Sequence, residues 1–480
     1  MPGTRPGMTP ERFIMPSPAA ALPAVLDRID AELDNSVGRL FEFLKIQSVS
    51  TDPAFAHHCK AAAEFVARDL ASLGFDASLR PTGGHPVVLG KAGNGNGKAP
   101  HVLFYGHYDV QPVDPLALWE TPPFEPRIAK TPDGRKIIVA RGACDDKGQV
   151  MTFIEALRAF KAVTGCLPLP ITMLIEGEEE CGSAHLFDFV TKNASELKQD
   201  FALVCDTSMW DSKTPAITTS LRGLVYEEVR ITCADRDLHS GLFGGAAQNP
   251  LRVLSQILGA MHDKNGRVTI PGFYDGVKEL PKTIKAELAK LKLTPKEFLG
   301  GVGLKIPAGE KNRMLIEQIS TRPTAEINGM IGGYTGEGAK TVLPAQATAK
   351  VSFRLVGDQN PKKIQDAFRK FVRARLPKDA KVEFSNFGLA GALQLPFDNP
   401  VLVKARAALK DEWGRTAVTV GEGGSIPIVG DFKRVLGMDT IMVGFALDDD
   451  RVHSPNEKYD LTSFHKGTRS WARILAALAG

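Results

Sequence analysis

The stretch Ile171-Thr172-Met173-Leu174-Ile175 runs into Glu176-Gly177-Glu178-Glu179-Glu180, so an apolar run ends in a knot of acids. Adjacent like charges repel, and at the mouth of a buried strand the cost of desolvating them grows, which calls for a cation there. Three further runs lead to similar residues. His107 and Asp109 follow Val102-Leu103-Phe104-Tyr105, Asp206 follows Phe201-Ala202-Leu203-Val204-Cys205, and Asp145-Asp146 come after Lys136-Ile137-Ile138-Val139. Strand-like runs alternating with helical stretches read as an α/β domain with a mainly parallel sheet between helices. In such sheets ligands gather beyond the carboxyl ends of the strands, so the four runs predict one shared site.

A chain of 480 residues exceeds what one core usually holds, so two domains are expected. From Ala31 to Leu73 the apolar spacing is helical, and Val150 to Leu157 is amphipathic. After about Pro215 the pattern changes. Strand Leu224 to Cys233, helix Pro250 to Met261, strands Ala325 to Met330 and Ala347 to Leu355, helix Pro361 to Leu376 and strand Lys381 to Ser385 follow in order. That βαββαβ order predicts a ferredoxin-like α+β domain, interrupted from Lys264 to Arg322 by charged, partly helical sequence. Beyond about Leu395 the α/β pattern resumes. The expected division is a disordered tail over 1–22, a discontinuous first domain over 23–214 and 392–480, and an inserted domain over 215–391.

The apolar share of 43% and the charged share of 24% are those of an ordinary soluble globular protein. A net charge of +4 from 59 basic and 55 acidic residues leaves no dense basic tract, which argues against a nucleic-acid partner. No apolar stretch is long enough to span a bilayer, so no membrane partner is expected. The opening Met1-Pro2-Gly3-Thr4-Arg5-Pro6-Gly7 lacks the apolar core of a signal peptide. Six cysteines without a CxxC pair do not form a disulfide framework, and a cytoplasmic location is expected. Cys144, Cys181 and Cys205 each adjoin a candidate acid. Neighbours on a strand point to opposite faces, so all three cysteines are expected in buried packing rather than on a metal.

In Phe104-Tyr105-Gly106-His107-Tyr108-Asp109, residues two apart share a face, so Asp109 can accept the second N–H of His107 and fix its tautomer. Alone, that pair is also what a hydrogen-bonded strand end looks like. Further motifs in order change the reading: Arg141-Gly142-Ala143-Cys144-Asp145-Asp146-Lys147-Gly148, Glu176 to Ser183, and Val452-His453-Ser454-Pro455-Asn456-Glu457. With His107-Tyr108-Asp109-Val110-Gln111-Pro112, they make the chain resemble the zinc-dependent exopeptidases and deacylases, the family of aminoacylase, carboxypeptidase G, peptidase T and carnosinase. Within it, the carnosinase-like cytosolic dipeptidases are most similar.

The resemblance implies a mixed sheet flanked by helices, with the inserted ferredoxin-like domain serving as lid and dimerisation domain. It makes His107 and Asp206 ligands of one metal, Glu180 and His453 ligands of the other, and Asp145 the bridge, with a cis peptide bond after it. Glu179 becomes the general base and Asp109 the orienter of His107. Nitrogen and oxygen donors suit two Zn2+ per chain, with Mn2+ or Co2+ as substitutes. Asp237-Leu238-His239-Ser240-Gly241 resembles the element whose histidine steadies the oxyanion, often across a dimer interface. Arg354 stands on the polar face of its strand, where it suits either a substrate carboxylate or a surface salt bridge. Glu422, Gly424 and Ser425 resemble the loop that borders the substrate pocket, and Asn249 and Thr341 are further candidates to line it. The implied activity is hydrolysis of dipeptides or short peptides by a homodimer. Alternatives are an N-acyl amino acid deacylase, a glutamate carboxypeptidase, or a catalytically dead metal-binding interaction protein, against which the retained Glu179 speaks.

Overall fold

The computed structural model describes residues 17–93, 99–422 and 427–480. By internal contacts the chain divides into a first unit, Met1–Ile217 with Asp398–Ala417 and Val435–Gly480, and a second, Thr218–Phe397 with Val418–Arg434.

In the first unit, strands lie in the order Asp76–Arg80, Val87–Ala92, Ile171–Glu176, Val102–His107, Phe201–Val204 and Asp439–Met442. The last four are mutually parallel and the first two antiparallel, so the sheet is mixed. Every residue of 102–107, 171–176 and 201–204 is buried, which is why these strands read as unbroken apolar runs rather than alternating ones. Helices Pro18–Ala31, Lys147–Thr164, Pro400–Trp413 and Leu461–Ala479 pack on one another. Phe104 of the sheet stacks on Phe153 at 3.7 Å between ring centres, and Trp471 meets Phe153 edge-on. At Gly106 a side chain would lie 2.5 Å from Val150 and 2.9 Å from Asp146, so only glycine lets this strand pass the start of helix 147–164.

Two expectations are corrected here. The run Lys136–Val139 is not in the main sheet; it forms the centre of a separate antiparallel ribbon with Arg127–Lys130 and Lys458–Asp460. That pairing sets the loop after Val139 beside the loop before Lys458. Residues 1–16 of the expected tail lie outside the described residues, but Pro18 to Leu22 are helical. The Ser17 hydroxyl accepts from the Ala20 amide, Pro18 occupies the first turn, and Ala21, Val25, Leu26 and Ile29 are buried.

The second unit holds a four-stranded antiparallel sheet in the order Thr324–Gly332, Gln346–Leu355, Gly223–Thr232, Lys381–Ala390. Helices Pro250–Gly259 and Pro361–Arg373 cover one face, so burial alternates strictly along the two central strands. This is the ferredoxin-like order read from the sequence, βαββαβ. Strand Val418–Glu422 pairs with Ala216–Leu221, and Thr219 donates to the Val420 carbonyl at 3.2 Å. That pairing places Val418–Arg434 with the second unit, whereas the sequence division carried 392–480 whole into the first.

Candidate metal centre

Beyond the carboxyl ends of strands 102–107, 171–176 and 201–204, the first unit gathers its acids and two imidazoles. His107 closes its strand, Glu179 and Glu180 begin a single 3-10 turn after Glu178, and Asp206 follows Val204 by two residues. Asp145 lies in the loop before helix 147–164, joined to Asp146 by a cis peptide bond. His453 comes from the loop before Lys458.

Potential ligand atoms of His107, Asp145 and Asp206 lie within 4.8 Å of one another, as do those of Asp145, Glu180 and His453. Asp145 is common to both sets. Its Oδ1 is 3.1 Å from His107 Nε2, and its Oδ2 is 2.9 Å from His453 Nε2. Asp206 Oδ2 stands 4.0 Å from His107 Nε2, and Glu180 Oε2 is 3.2 Å from His453 Nε2. Among the described residues no lysine or arginine pairs with any of these acids.

The electrostatics show the missing charge. Burial, then the charges of Asp145 and Asp146, push the Asp206 carboxyl well above the ordinary carboxylate range. Burial also raises Glu179, with Glu180 and Asp145 adding to it and His107 opposing. Burial works against the charge of Asp145, yet hydrogen bonds with His107 and His453 hold its carboxyl below the usual range. Hydrogen bonds to Asp145 and Glu180 raise His453 to about 10. Among the described residues two imidazoles are the only cationic partners, and oxygen donors with two ring nitrogens suit divalent cations.

The three consecutive glutamates separate in role. Glu178 turns to His185, whose Nδ1 is 3.0 Å from its carboxylate, and so faces away from the other two. Glu180 accepts from Gln111 Nε2 at 2.7 Å. Asp109 is placed as expected, but its acceptor role is shared: His107 Nδ1 faces the Asp109 carbonyl at 3.1 Å and its Oδ1 at 3.3 Å. The other carboxylate oxygen of Asp109 accepts the Glu180 amide at 3.0 Å, which ties one ligand to another. Cys144 and Cys205 are buried as expected, whereas Cys181 is exposed. The 3-10 turn over Glu179–Cys181 breaks the strand alternation on which that expectation rested.

Sequence reasoning missed Gln111 and Glu457 as parts of the site, although both lie within the motifs quoted. Glu457 is fully buried and accepts from Arg141 Nη1 at 2.8 Å and the amides of Gly142, Cys144 and Asp145 at 3.0, 2.9 and 3.1 Å. One carboxylate thereby fixes the loop of Asp145 to the loop of His453. Such outer partners hold ligands in register for a metal.

The remaining candidates belong to the second unit. His239 is exposed, and its Nδ1 accepts from the Gly241 amide at 3.0 Å. Asn249 caps helix 250–259 by accepting from the Leu251 amide at 2.9 Å. Thr341 is exposed, and its carbonyl accepts from the Ser240 amide. Arg354 lies in strand Gln346–Leu355 between Leu224 and Thr324, half-buried on the face away from the helices. Glu422 ends strand 418–422, and Gly424 and Ser425 lie outside the described residues.

The profile of peptidase family M20/M25/M40 matches residues 103–477. Over 469 residues the chain is 31% identical to the Cys-Gly metallodipeptidase DUG1 of Candida albicans, covering 94% of this chain and 96% of that protein. It is 29% identical over 491 residues to the Beta-Ala-His dipeptidase of Homo sapiens, with 97% and 95% covered. The solved structure of the dipeptidase Dug1p from Saccharomyces cerevisiae aligns with a TM-score of 0.72 at 29% identity, over 96% of this chain and 98% of that one.

Proposed function

The chain belongs to the peptidase family M20/M25/M40, and we propose that it is a metallodipeptidase that hydrolyses the peptide bond of dipeptides and short peptides. The observation that carries this reading is the Asp145 carboxylate, whose two oxygens face two different histidines, each with a further acid beside it. That arrangement fits two divalent ions, one held by His107 and Asp206 and one by Glu180 and His453, with Asp145 between them. Zinc suits these nitrogen and oxygen donors, and Mn2+ or Co2+ can replace it. When bound, such a pair polarises the scissile carbonyl and acidifies a water. Glu179 is the acid left for the base role, since Asp109 accepts from the Glu180 amide and Asp146 from the His107 amide. Its raised proton affinity lets it take the water's proton and hand it to the leaving amine.

The second unit supplies the lid and the dimer contact in this reading. The Gly241 amide occupies His239 Nδ1, so the ring's proton sits on Nε2, where it can donate to the substrate oxyanion of a neighbouring subunit. Arg354 has no ion pair among the described residues, which favours a substrate carboxylate over a surface salt bridge. Activity recovered by mixing Glu179→Gln and His239→Ala subunits is the expected sign of that sharing; verified exchange without recovery would refute it. Among the described residues no helix is long and apolar enough to cross a membrane. The cytoplasm suits six free thiols.

The reading is tested with free dipeptides, the same peptides N-acetylated, and N-acyl amino acids, assayed side by side on the metal-loaded protein. Free dipeptides should be the best substrates, because acetylation removes the charge of the free amino terminus by which a dipeptidase tells its substrates from acylated amino acids. Preference for the acylated compounds would replace a dipeptidase with a deacylase.

A further inference from the structure

Arg222 immediately precedes strand Gly223–Thr232, two residues before Leu224, which lies opposite Arg354 in the register. Positions two apart on a strand share a face, so the two arginines are diagonal neighbours on the side of the sheet away from the helices. Neither has an ion pair among the described residues. The Nε of Arg222 is shielded from solvent and makes no hydrogen bond. Burial and the charge of Arg354 both lower its affinity for its proton, and Glu326 offsets them only in part.

Of the acids nearby, Glu326 lies on the adjacent strand opposite Ser352, is exposed, and pairs with neither arginine among the described residues. Arg222 lines a cavity of about 430 Å³ together with Ser220, Leu280, Ser320, Thr321 and Phe397. Of the other charged groups on that wall, Lys278 pairs with Asp358 at 2.6 Å, and Glu279 is held by Arg313 at 2.6 Å. What remains is a half-buried guanidinium with its Nε shielded, beside a second one and at the wall of an open cavity. An unsatisfied buried donor is costly, so a ligand bearing acceptor oxygens is the natural complement.

We propose that Arg222 is a second carboxylate anchor, acting beside Arg354 on the free C-terminus of the peptide substrate. This rests on the dipeptidase reading and names a specificity residue within it. A planar guanidinium presents parallel donors that a carboxylate can accept from together. The pair thus discriminates a free terminus from an amidated one.

The test compares a dipeptide with its C-terminal amide on the wild-type protein and on Arg222→Met, Arg222→Lys and Arg354→Met. For Arg222→Met the KM of the free acid should rise about 10- to 100-fold, with kcat little changed and the amide unaffected. Arg222→Lys should recover part of the loss, since it restores charge without the fork. Thermal shifts with a free amino acid and with its amide give a binding readout that needs no turnover. The acid should stabilise the wild type more than Arg222→Met, and the amide should treat both alike. Equal losses on acid and amide, or equal protection by inorganic phosphate, would overturn the proposal. Failure of the dipeptidase reading looks different: the wild type would then turn over no free dipeptide. If Arg222→Met does not fold, the same comparison on Arg222→Lys decides.

Discussion

Asp449, Asp450 and Asp460 gather their carboxylate oxygens as closely as Asp145, Glu180 and His453 gather theirs, and both groups belong to the first unit. Around the first, the chain supplies the positive charge. Lys458 stands 2.6 Å from Asp450 and 2.8 Å from Asp449, while Arg135 reaches Asp449 at 2.6 Å and Asp460 at 2.7 Å. Around the second, the only groups able to carry positive charge among the described residues are imidazoles. Proximity of acids is therefore a poor sign of a metal by itself. The informative feature is a cluster from which the chain withholds its own lysine or arginine, because uncompensated buried carboxylates are costly without a cation.

The largest effect that sharpens this contrast is chemical. Glu179→Gln should lower kcat by about 10²- to 10⁴-fold, since an amide cannot accept the water's proton. Metal content should stay at the wild-type value, because Glu179 is not a ligand in this assignment. Substantial residual turnover with full metal occupancy removes Glu179 from the base role.

Asp145→Ala acts on the ions themselves. Its two oxygens face separate histidines, so the substitution should deplete both sites together, as read by metal analysis after dialysis. An unchanged content would refute the bridging assignment. The same treatment of Asp450→Asn should leave metal content alone, because Lys458 and Arg135 already serve that cluster.

Much of the Asp145 centre was legible in the sequence, whereas the Asp449 cluster was not read there, and the reasons are physical. His107 closes its strand, and Glu180 and Asp206 stand just past theirs; all three strands are buried on both faces, and such strands announce themselves as unbroken apolar runs. The βαββαβ order was equally plain, because one-sided burial leaves alternation along Gly223–Thr232 and Gln346–Leu355. The run Lys136–Val139 misled because a short apolar strand looks the same in a parallel sheet and in an antiparallel ribbon; only its partners, remote in sequence, tell them apart. Helix 18–31 was misread at its start because the proline-rich opening masks a first turn that its cap and its packing stabilise. Glu178 looked like its neighbours until His185 was seen to hold it, and Arg222 gave no signal, since an unpaired guanidinium is recognised only by what surrounds it.

The smallest predicted effect tests the comparison from the other side, by taking away the chain's own cation. Lys458 is nearly buried and Asp450 wholly so, and breaking a buried pair by removing one partner costs about 3–5 kcal/mol. Lys458→Met should therefore lower the Tm while the Asp145 centre keeps its metal. With only Arg135 left beside three carboxylates, the cluster becomes what the Asp145 centre already is, an acid group short of positive charge. Millimolar Ca2+ should then restore a part of the lost Tm in Lys458→Met beyond any shift it gives the wild type, because oxygen-only donors suit a hard cation. The gain should be modest, since nothing has arranged these oxygens for an ion. An equal Ca2+ effect on both proteins would mean that supply of the cation is not what separates the two clusters, and that geometry alone distinguishes them.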